Sequence, residues 1–275
     1  MEYLLDGMVL TMKIKIYSKK NELSESVRYE LEEKLVANGY ELSNKDDYEL
    51  AISIGGDGTF LRMIHDCDFD SNKKYAAINT GNLGYMSTIG KDEINTFISD
   101  LNTNNFIKSE SKFLNIKITS NDEYDGTSFK ALNELTIRNT LLKTIYLSTF
   151  VNSNLLFNSS GDGLNVCTSF GSTAYNMSLG GSIIDPSLGA IEIVPIAPIN
   201  SAVHKNIAAP FITSDKNRII IKPINKDNNT SIIIDGRIIP IKDLISVEIT
   251  VDDSITILKN VDHNDIITMN NKIYK

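Results

Sequence analysis

An α/β domain followed by a mainly β domain is the architecture that this chain of 275 residues predicts. Two observations carry it. Up to about residue 104, short apolar strand patterns alternate with amphipathic helical ones, the arrangement that buries a parallel sheet between helices. Beyond it, strand-like runs succeed one another with only turn residues between them. All six prolines (Pro186, Pro195, Pro198, Pro210, Pro223 and Pro240) fall in this half, which suits turns and edges better than a central parallel sheet. The expected division is residues 1–104 as the α/β domain and residues 105–275 as the β-rich domain, with the last residues able to pack back on the first.

Each element has its own signal. MKIKIYS (Met12 to Ser18) alternates as a strand does, and Leu23, Val27, Leu31 and Leu35 then recur every four residues up to Gly39: a strand, an amphipathic helix and a glycine stop. LAISI (Leu50 to Ile54) is a short buried-strand pattern, followed by a glycine-rich loop and a helix over TFLRMIHD (Thr59 to Asp66). YAAIN (Tyr75 to Asn79) repeats the plan and leads through a second glycine-containing loop, TGNLGYMS (Thr80 to Ser87), to a helix over about Asp92 to Leu101. The second half offers FLNIKITS, ALNELTIRN, IYLSTFVNSNLLFN, RIIIKPIN, SIIIDGRIIPI and ISVEITV as strands. Asp235-Gly236 between SIII and RIIPI is the strongest short hairpin signal in the chain and reads as a structural turn. MEYLLDGMVLT has no partner motif, so residues before Met12 are expected to be dispensable or to reflect an upstream start codon.

Composition restricts function. Hydrophobic content of 41% with 23% charged residues is ordinary for a globular protein, and no run of about 18 apolar residues exists to span a bilayer. The N-terminus carries Glu2 and Asp6 and lacks a secretory pattern, so a cytoplasmic location is expected. Cys67 and Cys167 are too few and too far apart for a disulfide framework or a zinc site and read as reduced core thiols. His65, His204 and His263 have no ligand-like spacing. A formal charge of −8 argues against a general nucleic-acid surface; an anionic ligand would need backbone N–H groups, a helix N-terminus or a divalent cation.

The loop in AISIGGDGTFLRM meets that need. A strand, glycine turn and helix expose backbone donors and the positive end of a helix at the carboxyl end of a sheet, where phosphates bind. Gly55, Gly56 and Gly58 would allow the approach, although G-G-D-G is neither the dinucleotide fingerprint nor the Walker phosphate loop. Asp57 is the odd element. A carboxylate beside a phosphate cradle is unfavourable unless it takes a proton, accepts a hydroxyl hydrogen bond or faces a metal. The alternative, that Asp57 only forms the turn, stays open on spacing alone.

GGDGTFLRM, followed in order by NTGNLGY, LNELTI, SSGDGLNVCTSFGSTAYNMSLGGSIIDP and IIIDGRII, resembles the bacterial NAD kinase family from about Met12 to the C-terminal strands. GGDGT alone is shared with the diacylglycerol and sphingosine kinases and 6-phosphofructokinase, whereas GDGL with GSTAYNMSLGG is specific to NAD kinases. The resemblance implies a Rossmann-like N-terminal domain, a β-rich C-terminal domain and a ligand cleft between them. It implies transfer of the terminal phosphoryl group of ATP, or in some members of inorganic polyphosphate, to the 2′-hydroxyl of the adenosine ribose of NAD, giving NADP. Phosphoryl transfer needs a cation on the phosphates, and with a net charge of −8 a divalent metal, Mg²⁺, is expected to supply it. Residue by residue, Asp57 matches the catalytic aspartate, and Gly55, Gly56, Gly58 and Thr59 match the phosphate-binding loop. Tyr85 matches an aromatic at the adenine pocket, Asn133 and Glu134 match the pair on the ribose hydroxyls, and Asp162, Thr173, Ala174, Tyr175 and Ser178 match the lining of the nicotinamide and adenine regions. No protein metal ligand is assigned. A homodimer or homotetramer is implied, with no nucleic acid or membrane as partner.

The chemistry of the residues is compatible with these roles. Glu134 can accept from one ribose hydroxyl while Asn133 donates and accepts; a polar break between strands is the plain alternative, as a β-turn is for GDGL and a half-buried aromatic for Tyr175. The sequence departs from the family at Thr168, Ser169 and Phe170, where many members have a Thr-Pro pair followed by Ser or Thr. Losing the proline frees the backbone at Ser169, and Phe170 adds bulk beside the cleft. A lipid kinase would predict a basic amphipathic membrane segment, which is not visible; a non-catalytic dinucleotide sensor would give no reason for Asp57.

Overall fold

The computed structural model describes residues 12–81, 84–199, 207, 209–225 and 229–260, together with the backbone of two short strands, Leu4–Leu5 and Met8–Val9, which pair antiparallel with each other. The rest of the segment before Met12, and His204 and His263, lie outside the described residues. The chain divides into two compact units: the first runs to Ser111 and resumes at Ser254, and the second is Lys112–Asp253.

The first unit is a doubly wound sheet. Strand β1 (Lys13–Ser18) leads through α1 (Glu22–Ala37) to a two-residue strand, Glu41–Leu42, on its outer side; β2 (Leu50–Gly55), α2 (Asp57–Asp66) and β3 (Lys74–Asn79) follow on its other side, all in parallel register. The strand order reverses between β1 and β2, and in open α/β sheets ligands bind beyond the carboxyl ends of the strands at such a switch point. The glycine loop after β2 lies there. Helix α3 (Ile94–Thr103), entered through a 3₁₀ turn over Lys91–Glu93, leads to the edge strand β4 (Ile107–Lys112). That strand carries the first unit beyond residue 104.

Sequence and structure differ in detail at α1. Asn21 caps it, its side chain accepting from Ser24 N at 2.8 Å, and Gly39 at φ +85° follows its end. Leu23 is 47% exposed, and Ser24 is buried with Val27, Leu31 and Leu35. A strict four-residue repeat outruns a helix of about 3.6 residues per turn, so the first leucine of the series rotates off the buried face. Val27, Leu31 and Leu35 pack with Ile14, Leu50, Ile52, Ile54, Ile78 and Phe97 into one core cluster. Helix α2 starts at Asp57, two residues earlier than the sequence pattern places it, with Gly56 as its cap.

The second unit is a sandwich of two six-stranded antiparallel sheets. One sheet is built from β5 (Leu114–Ser120), β6 (Ser128–Ala131), β8 (Ile145–Val151), β9 (Asn154–Gly161), β13 (Ile219–Pro223) and β16 (Leu244–Thr250). The other has the spatial order β12 (Phe211–Ser214), β11 (Ala190–Ile196), β10 (Gly163–Thr168), β7 (Glu134–Asn139), β14 (Thr230–Ile234) and β15 (Arg237–Ile241). Alternate residues of both sheets, among them Ile116, Leu147, Ile221 and Val247 facing Leu135, Val166, Ile193 and Ile232, form a single core. After β16 the chain returns to the first unit as β17 (Ser254–Lys259), parallel to β3. Pro195 lies within β11 without breaking a ladder: β12 pairs only with Ala190 to Ile193 and stops short of it.

Among the described residues no helix is long and apolar enough to cross a membrane. Both cysteines are free and buried, but the surroundings of Cys67 are less apolar than the sequence suggests: its sulfur lies 3.0 Å from the Tyr48 hydroxyl and 3.5 Å from that of Tyr17. Burial pushes the Cys167 thiol up, with the Glu192 and Glu134 carboxyls adding to the effect.

Candidate active site

In the first unit the site grows from the ends of β2 and β3. Gly55 closes β2 at φ +154°, and a Cβ there would strike the Thr59 side chain, so this position needs glycine for the protein's own geometry. Gly56 and Gly58 differ. Both are exposed, neither has positive φ, and the space where their Cβ atoms would lie is open. Their missing side chains leave the backbone at the start of α2 approachable, where the helix presents the positive end of its dipole.

Asp57, the first residue of α2, turns its carboxylate onto the second glycine loop. Oδ2 accepts from Tyr85 N at 3.0 Å, and Oδ1 accepts from Met86 N and Ser87 N, both at 3.1 Å, and from the Ser87 hydroxyl at 3.2 Å. A carboxylate, an acceptor at both oxygens, is the group that satisfies converging donors of this kind. Gly84 has to lack a Cβ because the Asp57 carboxylate occupies that place. Tyr85 is half-buried, and burial followed by the neighbouring Asp57 charge raises its phenol. Asp57, Tyr85 and the glycine loop are thus brought together; Thr59 stands one turn into the helix, its side chain against Gly55.

In the second unit, the loop Leu132–Asn133 enters β7 at Glu134, and the turns after β10 fold over it. Thr168 ties the two: its N–H donates to the Asn133 carbonyl at 3.0 Å and its hydroxyl to the Leu132 carbonyl at 2.7 Å. Gly171 N donates back to the Thr168 hydroxyl at 3.0 Å, and a Cβ on Gly171 would overlap the Asn133 backbone. A 3₁₀ turn (Phe170–Thr173) and a single helical turn (Tyr175–Ser178) follow and carry Thr173, Ala174, Tyr175 and Ser178; of these, the Tyr175 backbone N–H acts on the Glu134 carboxyl and favours its charged form.

Asn133 and Glu134 are each only 8% exposed, yet Asn133 Oδ1 and Glu134 Oε2 are buried with no hydrogen-bond partner. Two adjacent orphaned acceptors are costly unless a ligand supplies donors. Burial first, then the Asp235 carboxylate, pushes the Glu134 carboxyl up to about 7. Near neutrality it can therefore donate or accept.

Buried polar groups that sequence reasoning missed hold this region. Glu192, fully buried in β11, accepts from Asn176 Nδ2 at 2.7 Å and from Ser182 N at 2.8 Å. Asn165 Nδ2 reaches Asn176 Oδ1 at 3.4 Å, and Thr136 donates its hydroxyl to Asn165 Oδ1 at 2.8 Å. A Cβ at Gly181 would collide with the Asn176 amide. The signal was available: Glu192 interrupts AIEIVPI, an otherwise apolar strand.

One candidate does not join the cluster. Asp162 precedes β10 at the end where Gly163 pairs with Arg138, and Arg138 Nη2 is 3.7 Å from its carboxylate. Glu134 pairs with Cys167 at the other end of these strands, four residues along β7 and so roughly 13 Å away at the usual strand rise. At the departures, Ser169 keeps φ −54°, a value proline also has, and its hydroxyl donates to the Leu188 carbonyl at 2.7 Å, tying down backbone that the missing proline frees. Phe170 is half-buried at the start of the 3₁₀ turn.

The sequence profile of the ATP-NAD kinase C-terminal domain matches residues 132–268, a span that opens on the loop bearing Asn133 and Glu134. An NAD kinase of Finegoldia magna is 32% identical over 225 residues, 80% of this chain and 82% of that protein. The chain belongs to the NAD kinase family. A second NAD kinase, from Latilactobacillus sakei, is 32% identical over 213 residues, 77% of this chain and 79% of its own length. The NAD kinase fold extends to solved structures. Yeast NADH kinase complexed with NADH superposes with a TM-score of 0.82 at 19% identity, covering 96% of this chain and 87% of that one. An NAD kinase from Archaeoglobus fulgidus in complex with ATP superposes with a TM-score of 0.75 at 20% identity, covering 95% and 98%. At these identities the likeness is one of fold.

Proposed function

We propose that this NAD kinase family enzyme transfers the terminal phosphoryl group of ATP to the 2′-hydroxyl of the adenosine ribose of NAD, giving NADP. The observation that carries the reading is the pair of buried, partnerless acceptors, Asn133 Oδ1 and Glu134 Oε2, with the Tyr175 backbone acting on the Glu134 carboxyl. Ribose presents two adjacent hydroxyls, each able to donate and accept, which is what a neighbouring amide and carboxyl can use. The nucleotide phosphates fall to the start of α2, where Gly56 and Gly58 leave the backbone approachable.

Asp57 is the proposed acceptor of the 2′-hydroxyl proton. The hydroxyl oxygen bonds to the terminal phosphorus as the phosphorus–oxygen bond to ADP breaks, and the carboxylate orients and takes the proton. The loop donors that grip Asp57 fix its direction. Among the described residues no group of three or more His, Cys, Asp or Glu side chains is placed to hold a metal. We assign Mg²⁺ in this reading to the nucleotide, as the magnesium complex of ATP, where it would neutralise phosphate charge. Polyphosphate, which presents the same terminal group, is an alternative donor. Exposed Ile212 and Ile238, on the two edge strands of one sandwich sheet, support a homodimer or homotetramer.

The test is direct. Incubation with NAD, ATP and Mg²⁺ should yield NADP, and excess EDTA should stop it. Absence of NADP with both ATP and polyphosphate as donors would overturn the reading.

A further inference from the structure

The sequence assigns Asp235 to a hairpin turn, and the turn is there: Asp235 has φ +47° and Gly236 φ +82°, the positive pair that a two-residue turn requires. A turn alone needs no carboxylate, since asparagine or glycine would serve. Yet the Asp235 side chain reaches back to a loop that lies 101 to 103 positions away in the chain. Oδ2 accepts from Leu132 N at 2.8 Å, and Oδ1 accepts from Asn133 N at 2.9 Å and Glu134 N at 3.1 Å. Asp235 N in turn donates to the Glu134 carbonyl at 3.1 Å.

We infer that Asp235 is a positioning residue for nucleotide recognition: by gathering three consecutive N–H groups it fixes where Asn133 and Glu134 point, and it presents its own negative charge to the Glu134 carboxyl. The inference rests on the proposed role of that pair in binding NAD. Two acidic groups side by side repel, and a turn selected only for its shape would avoid the arrangement. Here it has a use. The groups facing Glu134 are the Asp235 carboxylate from the hairpin, the Tyr175 N–H from the helical turn, and the Cys167 thiol across the strand pair, itself raised by burial and by Glu192. Burial and Asp235 together bring the Glu134 carboxyl up to about 7, so its bound proton answers to Asp235.

The experiment compares the full-length protein with Asp235→Asn and Asp235→Ser, both of which tolerate a turn and remove the charge. Three quantities are measured: melting temperature, steady-state kinetics in NAD at saturating ATP, and the pH titration of the Glu134 carboxyl by carbon-13 NMR. The folded variants should raise KM for NAD about tenfold with kcat within about threefold, the separation expected of lost ground-state positioning. The Glu134 titration should move to lower pH, which a merely structural residue would not cause. Unchanged KM and an unchanged titration in folded variants would overturn the inference. So would failure of both variants to fold, which would make Asp235 a folding residue. If the unsubstituted protein forms no NADP, the functional reading falls, and the Glu134 titration still decides whether Asp235 acts on that carboxyl.

Discussion

Two loops in this molecule use the same device in opposite senses. In the α/β unit, consecutive N–H groups of Tyr85, Met86 and Ser87 converge on the Asp57 carboxylate; in the sandwich, consecutive N–H groups of Leu132, Asn133 and Glu134 converge on that of Asp235. In the first the aspartate lies between Gly56 and Gly58, whose Cβ positions are open, and the loop is its support. In the second the loop carries the partnerless groups, and the aspartate is the support. A hydrogen-bond pattern therefore does not assign a role. What decides it is which end of the pattern is left with room or with an unsatisfied atom.

The strongest way to break the comparison is Asp57→Asn. Asparagine keeps size and turn preference but removes the basic site. General-base catalysis contributes about 10²- to 10⁴-fold, so kcat should fall by roughly that factor, ~3–5 kcal/mol of barrier. NAD affinity by calorimetry should change by less than about 1 kcal/mol. A fall in kcat below about tenfold would remove Asp57 as the base, and loss of folding or of NAD binding would make the two aspartates alike, both supports.

The unequal legibility of the two loops has a physical cause. Gly55 to Asp57 lie on a strand–turn–helix whose signals are local, so the position of Asp57 and the doubly wound plan could be read from periodicity and glycines. Helix α2 still begins two residues earlier than its apolar pattern, because a helix start is set by its cap, here Gly56, and not by the first apolar residue. The order of the sandwich strands, and the attachment of Asp235 to Leu132–Glu134 or of Glu192 to Asn176 and Ser182, depend on pairings between distant segments. No spacing rule encodes them; only the misfit of a lone glutamate within AIEIVPI hints at one. Asp162 illustrates the converse. Its motif is plain in sequence, but the register of β10 against β7 sets it at the opposite end from Glu134.

A second substitution tests whether the sandwich loop is held by packing. Gly171→Ala would drive a Cβ into the Asn133 backbone, which cannot yield as a flexible side chain does. A loss of ~2–3 kcal/mol is expected, the range for overpacking at a rigid site, together with weaker NAD binding. Denaturant titration measures the first and calorimetry the second. An unaltered midpoint would mean that the 3₁₀ turn can shift away and that the loop is less constrained than its contacts imply.

Glu134→Gln sharpens the electrostatic side. A carboxyl raised from 4.5 to about 7 contributes stability that is fully present below about pH 4.5 and is lost as pH rises through about 7. Glutamine mimics the protonated form at every pH. The variant should therefore match the unsubstituted protein at pH 4.5 and exceed it at pH 8 by on the order of 2 kcal/mol, about 4–8 °C in melting temperature. Equal melting curves at both pH values would show that the carboxyl is not strained by its burial beside Asp235.

The smallest effect on stability is expected where the first loop is proposed to meet phosphate. Gly56 has φ −97° and ψ −173°, which any residue adopts, and nothing lies within 4 Å of the place a Cβ would take. Gly56→Ala should therefore leave the denaturation midpoint within about 0.5 kcal/mol, the usual range for an exposed substitution that touches nothing. Yet a methyl group at the cap of α2 would stand where the backbone is proposed to close on phosphate. KM for ATP should rise by about tenfold, equivalent to ~1.4 kcal/mol. The pairing with Gly171→Ala is the point: one glycine is required by the fold, and the other is proposed to be required only by the ligand. Steady-state kinetics beside a melting curve separates them. If Gly56→Ala leaves KM for ATP unchanged, the space beside Asp57 is not where the phosphates bind, and the asymmetry between the two loops loses its first term.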